Sequence, residues 1–116
     1  MIVEYPSYGL YKSNNPTEHK INEDAVLMHD FCVNTLNYAP SKIIVVGRSL
    51  GSGPAVHLAS VRQCMMLVLI SPYTSIRSVA KDMVPVFGYL VKERFRNKKT
   101  IQKVTAPVFI LHGMKV

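Results

Sequence analysis

The sequence predicts an α/β fold, with a mainly parallel sheet and helices on both faces. Two apolar runs, residues 42–47 and 65–71, hold the β-branched and aliphatic residues typical of strands buried on both faces of a sheet. Helix-start signals and helical spacing of apolar residues lie around them, and strands that alternate with helices form parallel sheets. At 116 residues the chain has room for one small domain and not for two.

The N-terminal third is predicted to contain one strand and one helix. Residues 1–5 form a short β-like apolar run, and residues 11–19 have the composition of a loop. Asn22 precedes Glu23 and Asp24, which is typical of a helix start with a cap and an acidic first turn. We expect this helix to bury a face marked by four residues at helical spacing: Ala25, Met28, Cys32 and Leu36.

The remaining elements are predicted as a strand at 42–47, a helix at 50–61 and strands at 65–71 and 108–111. Pro54 lies close enough to the start of its helix to be tolerated there. The segment 75–91 is helical or irregular, and a basic run follows it at 92–99.

Composition and charge narrow the classes of function. The sequence shows no secretory leader and no apolar stretch of the roughly 20 residues that span a bilayer, so we expect a cytoplasmic protein. Cys32 and Cys64 lack metal-ligand spacing, which favours reduced thiols and no metal or cofactor.

The net charge is +7, and from residue 37 onward only Asp82 and Glu93 oppose twelve Lys and Arg. Such a balance favours acidic partners or peripheral contact with an anionic membrane. The alternative explanation of the charge is that acidic segments of a longer protein lie outside these residues. Nucleic acid is not expected, because no binding motif accompanies the charge.

The motif that carries chemistry is Gly47-Arg48-Ser49-Leu50-Gly51, a G-x-S-x-G pattern between a predicted buried strand and a predicted helix. A sharp strand-to-helix turn would strain the backbone of Ser49 and lift its hydroxyl clear of the sheet. Gly47 and Gly51 would leave out side chains that collide with the neighbouring strand and helix. The backbone N–H of Leu50, at the helix start, could then donate to an oxyanion. The alternative is a glycine-rich turn whose serine has no role.

Three segments resemble the α/β-hydrolase superfamily, in order along nearly the whole chain. Residues 50–60 are similar to the helix after the nucleophile in the alpha/beta-hydrolase domain-containing protein 17 group, which are protein depalmitoylases, and in serine-aminopeptidase-like hydrolases. Residues 4–9 resemble the family's D-Y-x-G-Y-G turn, with Ser7 where Gly is usual, and residues 107–113 resemble its P-V-L-x-I-H-G strand. The resemblance implies a serine hydrolase of acyl ester or thioester bonds, with Ser49 as nucleophile and an acylated protein or small ester as substrate. It implies that residues 1–116 run from strand four to strand seven of the family fold.

The same resemblance implies that part of the catalytic apparatus lies outside these residues. The family's acid follows the H-G pair by three residues, which corresponds to Val116, and its histidine lies further downstream. The loop that supplies the family's second oxyanion donor lies upstream of Met1. In the family's sheet, the third strand lies between the strands that correspond to residues 1–5 and 42–47, and it has no counterpart here. We therefore expect a partial α/β-hydrolase fold that lacks the first strands and the last strand and is inactive as it stands. The alternative is a non-catalytic α/β-hydrolase-like interaction protein.

No other residue is expected to complete a triad. His57 follows Ser49 by eight residues on one helix, about 12 Å along the axis, and is predicted to be a partly buried packing residue. His112 ends a strand at the sheet edge of Ser49 and is the one histidine with a conceivable approach, although a structural role is favoured. Surface positions are predicted for four further residues: His19, His29, Asp30 and Asp82.

The connection after the second buried strand offers a candidate for substrate binding. Tyr73 could line an acyl pocket or form part of a turn. The basic run at 92–99, after the apolar segment 83–91, is interpreted either as a lid that meets a lipid chain and anionic headgroups or as a solvated loop.

Overall fold

Strand and helix alternate along the chain in a computed structural model that describes residues 1–2, 17–71 and 99–113. The described elements are helix α1 (Glu18–Asn34), strand β1 (Ile44–Arg48), helix α2 (Ser52–Val61), strand β2 (Met66–Ile70) and strand β3 (Val108–Leu111). Short 3₁₀ turns lie at Pro40–Lys42, Ser49–Gly51 and Ile101–Lys103. The strand predicted at residues 1–5 falls mostly outside the described residues.

Helix α1 begins five residues earlier than the sequence predicts, with Thr17 instead of Asn22 as its cap. Thr17 is its cap, because the Thr17 side-chain oxygen accepts a 3.1 Å hydrogen bond from the backbone N–H of Lys20. Glu18 then supplies the acid of the first turn, where a negative charge faces the positive end of the helix dipole. The predicted start at Asn22 is wrong, since Asn22 lies inside the helix.

The buried face of α1 also differs from the prediction. Ile21 and His29 are each only 5% exposed, and Ala25 lies between them at helical spacing. Leu36 was expected on this face, but it follows the end of the helix and is 44% exposed. The surface position predicted for His29 is wrong as well. Its ring nitrogen Nε2 lies 3.0 Å from the backbone oxygen of Gln63, so the imidazole donates to the loop after α2.

The three described strands form a parallel sheet, as predicted, and their order in the sheet is β1-β2-β3. The register aligns Arg48 with Ile70 and Ile70 with Leu111, so the carboxyl ends of all three strands lie at one edge of the sheet. Any residue that directly follows a strand is therefore placed at this edge, where ligands of parallel sheets bind.

Helix α2 covers one face of the sheet. Val45 and Leu69 point to it and are buried, and Leu67 is fully buried, a burial worth about 2 kcal/mol. The prediction that β1 is buried on both faces is wrong for the described residues, because Ile44 and Val46 on its other face are 50% and 58% exposed. No described element covers that second face. Within the described part of the chain, no helix is both long and apolar enough to cross a membrane.

The core lies between α2 and the sheet. Its buried apolar members are Val45, Ala55, Val56, Leu58, Ala59, Cys64, Leu67 and Leu69. Ile101, Val104 and Ala106 pack against it from the segment that leads into β3. Burial raises the pKa of the Cys64 thiol, which keeps it protonated and unreactive.

Helix α1 is fixed to the end of α2 by a group of four residues that we call the helix clamp: His29, Asp30, Arg62 and Gln63. The Arg62 guanidinium donates from Nε and Nη2 to the two carboxylate oxygens of Asp30, at 2.8 and 2.9 Å. This hydrogen bond from Arg62 lowers the pKa of Asp30 and raises that of Arg62. Asp30 was predicted to occupy a surface position; its side chain is 32% exposed, and it also connects α1 to the end of α2 through Arg62.

Candidate functional site

The chain turns abruptly at the carboxyl end of β1. Strand geometry ends at Arg48, and Ser49 follows with a φ of 49°, in the left-handed region that residues other than glycine rarely adopt. The 3₁₀ turn Ser49–Gly51 follows, and α2 begins at Ser52. Ser49 is half-buried, at the junction of strand and helix. The strained strand-to-helix turn expected at residue 49 is thus present.

Gly47 is required at its position by close packing. A Cβ atom at residue 47 would lie 2.6 Å from the Cβ of Ala55, 2.6 Å from the carbonyl oxygen of Gly51 and 2.8 Å from the Cα of Ser52. Two of these three neighbours are backbone atoms, which cannot move aside as a flexible side chain could. The turn therefore brings α2 so close to β1 that only glycine fits at residue 47.

Gly51, unlike Gly47, shows no structural requirement for glycine in its backbone conformation. Its φ of −66° and ψ of −10° lie in the right-handed region, which every residue type can adopt. The turn therefore does not need glycine at 51 for its backbone conformation. The expected collision of a side chain at residue 51 stays a prediction.

The start of α2 supplies polar backbone groups. Leu50 lies in the 3₁₀ turn that leads into α2, where the first backbone N–H groups have no partner within the turn, and no side chain caps it. Ser52 donates from Oγ to the carbonyl oxygen of Ser49 at 2.6 Å. Arg48 is exposed next to Ser49, so the immediate surroundings carry one full positive charge and the positive end of the helix.

Three polar residues follow the three strands at the same sheet edge: Ser49, Ser71 and His112. Neighbouring strands lie about 4.8 Å apart, so the backbones of Ser49 and His112 are separated by roughly 10 Å, with Ser71 between them. Ser71 also has a positive φ, of 45°, and its N–H donates to the carbonyl oxygen of Leu111 at 2.8 Å. Ser71 was predicted as the last residue of the strand 65–71, but β2 ends at Ile70 and Ser71 follows it.

The structure does not bring a general base to Ser49 from the residues that it describes. His57 is half-buried on α2, as expected, and burial together with nearby His19 lowers its pKa. His112 is exposed after β3, and its Nδ1 lies 2.9 Å from the carbonyl oxygen of Gly113. His29 belongs to the helix clamp, far along the chain from the turn.

Several residues named from the sequence lie outside the described part of the chain. Tyr73, Asp82 and residues 92–98 of the basic run are among them. Across residues 17–71 and 99–113, no three His, Cys, Asp or Glu side chains are grouped so that they could hold a metal ion.

Comparison with known proteins shows that the sequence of the chain is similar to those of alpha/beta hydrolases. A protein of Acanthamoeba polyphaga mimivirus whose name assigns it to the alpha/beta hydrolases is 32% identical over 97% of this chain, which covers 42% of the viral protein. Alpha/beta hydrolase domain-containing protein 17C of Xenopus tropicalis and protein 17B of Homo sapiens are each 32% identical over 95% of this chain. No family model and no solved structure matches.

The chain spans roughly a third to two fifths of the length of these relatives: 42%, 34% and 37%. The resemblance to α/β hydrolases and to the protein 17 group is confirmed. The partial α/β-hydrolase fold, with a parallel sheet and packed helices, is confirmed with it.

Proposed function

We propose, from the confirmed relationship of the chain to the α/β hydrolases, that Ser49 is the nucleophile of a serine hydrolase that acts on acyl ester or thioester bonds. The observation that carries the proposal is the strained φ of 49° at Ser49, at the start of a helix and at the carboxyl edge of a parallel sheet. Strain of this kind persists where the surrounding structure enforces it, and it clusters at active sites. A turn with only a connecting role gains nothing from a strained serine.

The proposed reaction is acyl transfer in two steps. The hydroxyl oxygen of Ser49 bonds to the acyl carbonyl carbon while a base accepts its proton, and the carbonyl oxygen becomes an oxyanion. The N–H of Leu50 donates to that oxyanion. The carbonyl then re-forms, and the alcohol or thiol leaves with a proton returned by the base. Water next attacks the acyl-serine in the same manner and releases the carboxylic acid and free Ser49.

The base and its orienting acid are not among the residues described near Ser49. Without them the Ser49 hydroxyl keeps its ordinary high pKa, and loss of triad members lowers the rate by about 10⁴- to 10⁶-fold. We therefore expect the 116 residues alone to react slowly. His112, at the same sheet edge, is the described histidine that a modest movement could bring towards Ser49.

A covalent probe tests the assignment of Ser49. The chain is incubated with a fluorophosphonate, whose phosphorus atom is attacked as an acyl carbon would be, and the modified residue is located by mass spectrometry. We expect slow labelling at Ser49 that is absent in Ser49→Ala. Labelling should be unchanged in Ser41→Ala, which alters an exposed serine away from the Ser49 turn. Labelling spread evenly over several serines would contradict the hydrolase assignment and favour a non-catalytic interaction protein. Rapid labelling would contradict the expected lack of a base.

We further propose an acylated protein as the substrate, in the cytoplasm, with peripheral contact to an anionic membrane. Support comes from the resemblance of residues 50–60 to the protein 17 group and from the net charge of +7. Flotation with neutral vesicles and with vesicles containing anionic lipid tests the membrane contact. We expect the chain to float only with the anionic vesicles and to be released by salt. Equal recovery with both vesicle types would contradict this part of the proposal.

A further inference from the structure

Ser52, the first residue of α2, is one of two buried polar side chains in the described part of the chain, the other being His29. It is 4% exposed, and its Oγ donates to the carbonyl oxygen of Ser49 at 2.6 Å. The backbone N–H of Ser52 is shared between this oxygen and the carbonyl oxygen of Leu50. The carbonyl of Ser49 is therefore held by two donors from a single residue.

The peptide bond after Ser49 connects this carbonyl to the proposed oxyanion site. A trans peptide is planar, and its C=O and N–H point in opposite directions. The C=O of Ser49 and the N–H of Leu50 belong to the same peptide. A residue that fixes the oxygen of Ser49 thereby fixes the direction of the Leu50 N–H.

We propose that Ser52 is a positioning residue, whose buried hydroxyl orients the Ser49–Leu50 peptide so that the N–H of Leu50 faces the oxyanion. The role rests on the proposed function, in which that N–H stabilises the reacting carbonyl oxygen. Ser52 does not touch the substrate, because it is buried against Gly47, where even a Cβ atom would lie 2.8 Å from the Cα of Ser52. It acts through the peptide that it holds.

The strained conformation of Ser49 explains why this peptide needs an anchor. At a φ of 49° the residue is outside the wells that helices and strands favour, so the direction of the next peptide plane depends on the hydrogen bonds that the Ser49 carbonyl accepts. The first turn of the helix gives the Leu50 N–H no partner. The bond from Ser52 acts on the carbonyl end, and it leaves the N–H available to a ligand.

Ser60, near the end of the same helix, provides a matched control. Its Oγ donates to the carbonyl oxygen of His57, also at 2.6 Å and also three residues back. Such serine bonds are common in helices. The Ser52 and Ser60 bonds differ in the peptide that they hold. Ser60 holds the His57–Leu58 peptide, whose N–H belongs to Leu58 and is already bonded within the helix. Loss of the Ser60 bond should therefore leave the turn unchanged.

The test compares Ser52→Ala, Ser52→Thr and Ser60→Ala in the full chain. Nuclear magnetic resonance reads the amide shift of Leu50 and the three-bond coupling of Ser49, which reports its φ. We expect Ser52→Ala to shift or broaden the Leu50 amide signal and to change the coupling, and Ser60→Ala to leave both as they are. Ser52→Thr keeps the donor and should restore the Leu50 signal. Where Ser52→Ala is not folded, Ser52→Cys keeps most of the volume with a weaker donor.

Fluorophosphonate labelling supplies the second measurement. We expect Ser52→Ala to lower the maximal labelling rate by about tenfold with little change in the half-saturating probe concentration, less than the about 10²- to 10³-fold that loss of an oxyanion donor costs. Ser60→Ala should match the parent chain. An unchanged Leu50 signal in Ser52→Ala, or an equal change in Ser60→Ala, would overturn the role of Ser52. Absence of Ser49 labelling in the parent chain, with the Leu50 effect present, would instead count against the proposed function alone.

Discussion

The turn at Ser49 and the helix clamp fix the same helix at its two ends, by opposite means. At the start of α2, the geometry depends on backbone: a missing side chain at Gly47, a strained φ at Ser49 and carbonyl groups held within the turn. At the end of α2, it depends on long polar side chains that reach to α1, with Arg62 on Asp30 and His29 on Gln63. The start of α2 is therefore held by backbone contacts that leave no room for a side chain at residue 47, whereas its far end is held by long side chains.

The largest effect is expected at Gly47. Gly47→Ala would place a Cβ 2.6 Å from the backbone oxygen of Gly51, and the turn would have to open to admit it. We expect a loss of about 3 kcal/mol or more in the free energy of unfolding, measured by urea denaturation. Gly113→Ala is the control, since a Cβ there meets nothing within 4 Å, and its effect should stay within about 0.5 kcal/mol. Equal stability of the two variants would show that β1 and α2 are not in contact at this turn.

The second effect tests the buried part of the helix clamp. His29→Ala removes the donor to the Gln63 carbonyl and leaves a cavity in place of the imidazole, because His29 is only 5% exposed. We expect a loss of about 2 to 3 kcal/mol by the same measurement. His19→Ala, an exposed position on the same helix, should change stability by less than about 0.5 kcal/mol. A small effect at residue 29 would mean that α1 is held mainly by its apolar contacts.

The third effect is smaller, because Asp30 and Arg62 are partly solvated. Their side chains are 32% and 41% exposed, and such ion pairs contribute roughly 0.5 to 1 kcal/mol. Asp30→Asn should lower stability by that amount at pH 7. Glu23→Gln, which affects a 3.8 Å pair within α1 only, should have a smaller effect.

The pH dependence of this effect follows from the lowered pKa of Asp30. The carboxylate is favoured in the folded chain, so its contribution to stability is fully present above the unfolded pKa of about 4. It is lost as the pH falls through the lower folded value. Urea titrations at pH 7 and pH 3 should therefore show the gap between the parent chain and Asp30→Asn shrinking at the lower pH. A gap that stays constant would show that Arg62 does not stabilise the charged form.

The comparison also shows which features the sequence could predict. Strand 108–111 and the turn at Ser49 were predicted where they are found, because apolar runs and a glycine-bounded serine are local signals. The start of α1 was misplaced because Thr17 and Asn22 are both cap residues followed by acids, and local chemistry does not rank them. The burial of His29 was missed because its partner, Gln63, is 34 residues away in sequence. No periodicity within α1 encodes that contact.

The smallest effect runs in the opposite direction and tests the strain itself. Ser49→Gly relieves a left-handed conformation that costs a serine of order 1 kcal/mol or more, and the added freedom of the unfolded chain offsets part of the gain. We expect unfolding free energy to rise by about 0.5 kcal/mol while fluorophosphonate labelling disappears. Asn37→Gly provides the matched comparison, because Asn37 has a φ of 58° but asparagine tolerates that region well, so its gain should be nearer zero. A stability loss in Ser49→Gly would mean that the serine side chain itself holds the turn, and the fixed geometry at the start of α2 would then have to be attributed to that side chain as well as to the backbone.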